Sequence, residues 1–112
     1  MAINVVYAES ELQSASATVV YTVPANKKYA IIEAVTVVNN AGADQNHTVW
    51  LVASSSSPVN ANRYITDKTV VSGETIVDSE IVGQSLNEGD EIQCQASADT
   101  SISIRFTIKE VV

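Results

Sequence analysis

The sequence predicts an all-β protein: a single-domain antiparallel β-sandwich, jelly-roll-like, with about eight strands. Three observations predict it. Short runs rich in Val, Ile, Thr and Tyr recur along the chain, and these side chains fit a pleated, half-buried surface. Clusters of Asn, Gly, Ser, Asp and Pro separate the runs at the spacing of strands joined by turns. No stretch of useful length repeats apolar residues at the spacing of a helix face. With 112 residues the chain is one domain, 1–112, long enough for a core of its own.

Residues 3–8 (Ile-Asn-Val-Val-Tyr-Ala) predict a first strand, so 1–16 is either a strand on its own subunit or an arm that adds to a neighbour. Residues 17–23 form the next strand and end at Pro24, which has no N–H for a ladder and suits the start of a turn. After Ala25-Asn26-Lys27-Lys28, residues 29–38 return as a long strand. Strict alternation puts Tyr29, Ile31, Val35 and Val37 on one face and Ala30, Ile32, Ala34 and Val38 on the other. A strand apolar on both faces is central, or has its outer face covered by something such as another subunit. Tyr29, Ile31, Val35 and Val37 are therefore the candidate subunit interface.

The Asn-rich turn at 39–46 leads to a strand at 47–53, with Trp50 and Val52 on one face and Val49 and Leu51 on the other. The serine-rich segment 54–62 reads as an exposed loop, 63–71 as a less regular strand and 75–82 as another. Gly89, in Asn87-Glu88-Gly89-Asp90, stands where a tight turn needs positive φ. Ile92, Cys94 and Ala96 then alternate inward, as do Ile102, Ile104, Phe106 and Ile108 in the last strand.

Thirteen acidic against six basic side chains leave a net charge of −7, which argues against binding a phosphate backbone or an acidic membrane surface. The partners expected are accordingly neither nucleic acid nor membrane. One cysteine excludes an intrachain disulfide, as in a protein made in a reducing cytoplasm. The N-terminus has neither the basic nor the long apolar region of a signal peptide, and no apolar run approaches a membrane span. The sequon Asn46-His47-Thr48 is read as chance.

Chemistry is sparse. His47, the only histidine, has no neighbouring ligand or nucleophile at a useful spacing and is expected to be exposed at a strand start. Cys94 is expected to be a buried small hydrophobe. Asp78 and Glu80 alternate onto one strand face, about 7 Å apart at Cα, a spacing that can share a cation, though a solvated acidic face is the simpler reading. Glu88, Asp90 and Glu91 around Gly89 do not match a calcium-loop spacing and read as a polar turn. No serine sits in a nucleophile elbow, and four glycines build no phosphate-cradling loop. Trp50 is expected in the core rather than on a sugar-stacking platform with Tyr7, Tyr21, Tyr29 and Tyr64. The expectation is a protein that is not an enzyme, with no catalytic residues, no metal and no cofactor.

The stretch Val20-Tyr21-Thr22-Val23-Pro24-Ala25-Asn26-Lys27-Lys28-Tyr29-Ala30-Ile31-Ile32 resembles a recurring phrase in small β-sandwich virion structural proteins of tailed bacteriophages. The Asn39-Asn40 turn, the Ser72-Gly73-Glu74-Thr75 turn and the Leu86-Asn87-Glu88-Gly89-Asp90-Glu91-Ile92 turn-strand follow the same pattern, so the likeness spreads over about residues 17–108. The resemblance implies a capsid decoration (cement) or head accessory protein. Such a protein is made in the bacterial cytoplasm, resides in the virion and assembles as a homo-oligomer, a trimer being favoured. Its other partners would be virion proteins such as the major capsid protein. The alternative it implies is a neck, tail or fibre-associated part with host carbohydrate binding.

Overall fold

The computed structural model describes residues 2–112. Two antiparallel sheets pack face to face. Nine strands build them: β1 (Ile3–Glu11), β2 (Thr18–Thr22), β3 (Tyr29–Asn39), β4 (Gln45–Val52), β5 (Arg63–Val70), β6 (Thr75–Val77), β7 (Ser85–Asn87), β8 (Glu91–Ala96) and β9 (Ile102–Val111). One sheet runs β1-β9-β3-β6, with the short β7 also pairing β3; the other runs β2-β8-β4-β5. The first strand lies beside the last and the second beside the last but one, which is the nested strand order of a jelly roll. The predicted N-terminal strand is paired with β9 from Ile3↔Val111 to Glu11↔Ser103.

The core lies where the alternation of the late strands put it. Ile92, Cys94 and Ala96 of β8 meet Ile102, Ile104, Phe106 and Ile108 of β9, with Ile32, Val35 and Val37 of β3 among them. Gly89 has a φ of +82° as its turn requires, and a Cβ there would come within 2.7 Å of Ser54 Oγ. The serine-rich segment carries a single 3-10 turn, Asn60–Asn62, packed against β4.

Three strands carry an extra residue, and each re-aims side chains. In β3 the register with β9 shifts between Ile32 and Ala34, so Glu33 bulges out. In β2 the shift falls between Val19 and Tyr21. In β5 it happens twice, against His47/Val49 and Val49/Trp50 of β4. Asp67, at the first of these, has a φ of +43°. The predicted strand 75–82 is shorter than expected: β6 stops at Val77, and a 3-10 turn, Ser79–Ile81, follows Asp78.

Candidate functional site

One constellation of ionisable side chains reaches from between the sheets to the surface at the β5/β6 side of the sandwich, with His47 and Asp78 inside and Lys68 and Glu80 partly exposed. β4 faces its His47 inward opposite Ala96 of β8. β5 would carry Lys68 and Ile65 to opposite faces, but the extra residue at Asp67 brings Lys68 round beside His47. β6 ends just in time to drop Asp78 into the gap between the sheets. His47 and Asp78 are fully buried.

The bonding is reciprocal. His47 Nδ1 lies 3.0 Å from the Lys68 carbonyl oxygen, which can only accept, so that nitrogen carries a hydrogen. Nε2 lies 2.6 Å from Asp78 Oδ2. The Lys68 ammonium stands 2.9 Å from Asp78 Oδ1, an ionic contact out of line for a hydrogen bond, and 2.8 Å from Glu80 Oε2. Burial alone would raise the Asp78 pKa, but the hydrogen bond and charge of His47, then the close ionic contact of Lys68, outweigh it and hold the carboxyl below its ordinary range. Lys68, by contrast, has its pKa raised: burial pulls it down, and its hydrogen bonds to Glu80 and its ionic contact with Asp78 more than compensate.

This corrects two expectations. His47 is not an exposed strand-start residue. It lies on the inward face because Val49 and Leu51, two and four residues on, set the phase of β4. Asp78 and Glu80 are not neighbours on a solvated strand face either, since the strand ends before them. The cation they share is Lys68. With each reactive atom held by another member, the cluster works as a clasp between sheets.

A second polar tie crosses the sandwich nearer β1 and β2. The Tyr21 hydroxyl of β2 donates to Glu110 Oε2 of β9 at 2.6 Å, and Glu110 is buried. Burial, then the hydrogen bond and charge of Glu110, all push the phenol's pKa well above its ordinary value.

The candidate interface residues part company at the Glu33 bulge. Tyr29 and Ile31 are half-buried on the outer face of the β1-β9-β3-β6 sheet, as expected. Val35 and Val37 are fully buried in the subunit's own core, because the extra residue reverses the alternation beyond it. Ala34, Thr36 and Val38 take their places outside. The outer face is still apolar in large part. Ile3, Val5 and Tyr7 of β1 are 52%, 55% and 59% exposed, and Val77 of β6 is 61% exposed. Arg105 stacks over the Tyr7 ring, 4.2 Å from its centroid, and Lys109 pairs with the bulged Glu33 at 2.8 Å.

The remaining candidates resolve simply. Trp50 is buried, but its register with Gln93 puts it on the outer face of its sheet rather than in the core cluster. Tyr7 and Tyr64 are both exposed yet lie on different sheets, so they form no shared platform. Asp90 accepts from the backbone N–H groups of Asn87 and Ser54, stabilising its turn. Among the described residues no group of three or more His, Cys, Asp or Glu side chains is placed to hold a metal. Cys94 is fully buried, and burial pushes its thiol pKa far up. An open groove of about 480 Å³ on the outer face of the first sheet is lined by Glu9, Glu11, Thr36, Val38 and Arg105 among others. Among the described residues, no helix is long and apolar enough to cross a membrane. Among known proteins, no family model matches the chain and no curated protein matches it.

Proposed function

We propose that the protein is a non-enzymatic structural component of a tailed-phage particle, of the capsid decoration or head accessory kind. It acts by surface burial as a homo-oligomer, against virion proteins such as the major capsid protein. The observation that carries this reading is the outer face of the β1-β9-β3-β6 sheet. Ile3, Val5, Tyr7 and Val77 stand half or more exposed there, beside half-buried Tyr29 and Ile31. Large exposed apolar patches mark interaction surfaces. The phrase at residues 20–32 supports the phage assignment and supplies Tyr29 and Ile31 to this face. Jelly rolls serve in viral capsids and in lectins alike, so the fold is compatible with the reading without deciding it.

The test is whether the chain travels with particles. Virions from the phage encoding this sequence, purified by density gradient, are expected to contain it at a fixed ratio to the major capsid protein by mass spectrometry. A chain found only in the soluble lysate overturns the reading. A fixed ratio to tail or fibre proteins instead would move the assignment to the tail.

A further inference from the structure

We propose that β1 is a strand-addition edge through which two copies of this chain pair, antiparallel and about a two-fold axis at Val5. The pairing would hold whatever the protein's role, so it does not rest on the virion reading.

The backbone comes first. Just beyond the ends of β1, Ala2 O accepts from Val112 N–H and Leu12 N–H donates to Ile102 O. Antiparallel ladders alternate strictly, so the even residues of β1 direct their amides at β9. The odd residues, Ile3, Val5, Tyr7, Glu9 and Glu11, direct theirs at the open edge. Among the described residues, none of their N–H groups finds a backbone partner outside the strand ladder.

Edges of this kind are usually blunted, and the other three edges are. β6 has three residues. β2 has five and a bulge. β5 has two bulges, an inward Lys68 and Asp67 at positive φ. β1 has nine residues in unbroken register, with no proline, lysine or bulge.

The side chains select the occupant and its direction. The odd residues that offer the free amides also face outward, and they read apolar, apolar, aromatic, acidic, acidic. A parallel second copy would set Glu9 against Glu9 and Glu11 against Glu11, and like charges opposite one another are unfavourable. The antiparallel pair centred on Val5 sets Ile3 against Tyr7 and Val5 against Val5. It leaves both carboxylate pairs beyond the paired segment, at opposite ends. Three hydrogen-bonded residue pairs would then supply about six new backbone bonds. Arg105, stacked on Tyr7, already holds that ring on the outer face. The product is one sheet running β6-β3-β9-β1 into the partner's β1-β9-β3-β6.

Sedimentation of the purified chain at tens of micromolar is expected to give an even number of subunits, and V5K is expected to halve that mass. Val5 is more than half exposed, so the variant should keep the wild-type circular dichroism. If it does not fold, V5P tests the same contact, because proline lacks the edge-facing N–H and is tolerated on edge strands. V5C is expected to form a disulfide-linked dimer on mild oxidation, because residue 5 meets itself, while buried Cys94 does not compete. A monomer or trimer for the wild type overturns the proposal, as does an unchanged mass for folded V5K or V5P, or absence of the V5C cross-link. A trimer indifferent to V5K would refute this contact and leave the virion reading standing. A chain absent from particles would do the reverse.

Discussion

The two sides of the sandwich are closed by different means. At the β5/β6 side, four ionisable groups form a clasp, the edge strand is bulged twice, and a 3-10 turn seals the gap. At the β1/β2 side, one neutral phenol meets one buried carboxylate, and the long edge strand is regular and bare. The same sequence pattern builds both sheets, so the difference lies in a few polar residues and the bulges that aim them. The charged side has a distorted edge strand; the other side has an edge strand in unbroken register.

Breaking the clasp should have the largest effect. His47→Ala leaves Asp78 buried without its main partner, and losing one member of a buried ion pair costs about 3–5 kcal/mol. Urea denaturation should show the loss as a lower midpoint with an unchanged slope. The plain side should prove weaker by the same measurement. Tyr21→Phe removes one hydrogen bond to Glu110 and should cost about 1–3 kcal/mol.

The pH dependence separates the two sides more sharply. Asp78 has a folded pKa below its ordinary 3.8, so its contribution is fully present above that value and is lost as pH falls through the folded one. Glu80, held low by Lys68, acts in the same direction. Tyr21 is shifted the other way from its ordinary 10.0: its contribution is complete below that value and is lost as pH rises toward the folded one. Melting temperature against pH should therefore fall at the acid end through the clasp and at the alkaline end through the plain side. Asp78→Asn should flatten the acid limb. Tyr21→Phe should flatten the alkaline limb in part, the remainder belonging to Lys68, whose raised pKa has the same sign. Least affected of all should be Lys109→Ala, which removes an ion pair on the outer face and should leave the urea midpoint unchanged.

The class of fold was legible because β8 and β9 alternate without interruption, and because Pro24 and Gly89 mark turns by their backbone chemistry. Periodicity failed at residue 33. A bulge is one residue with no compositional signature, yet it moved Val35 and Val37 from a predicted outer face into the core. The clasp was half visible. His47 shares its phase with Val49 and Leu51, and extending that alternation back by two residues would have turned it inward. Nothing local predicts that Lys68 joins it, since this depends on a positive φ at Asp67 and on a strand ending at Val77. Both are decided by packing between the sheets. The short β7 went unseen because Ser85–Asn87 is paired only through β3 and is too brief to show a period.

Cys94 gives this comparison a clock. Its sulfur lies at the middle of the sandwich, where no reagent reaches it while the sheets are closed, and burial keeps it in the unreactive thiol form. Reaction with a thiol-specific dye can then proceed only from molecules that have opened, so its rate reads the opening equilibrium directly. His47→Ala and Tyr21→Phe loosen opposite sides around the same sulfur. The variant that labels faster relative to its loss of global stability marks the side from which the sandwich opens first.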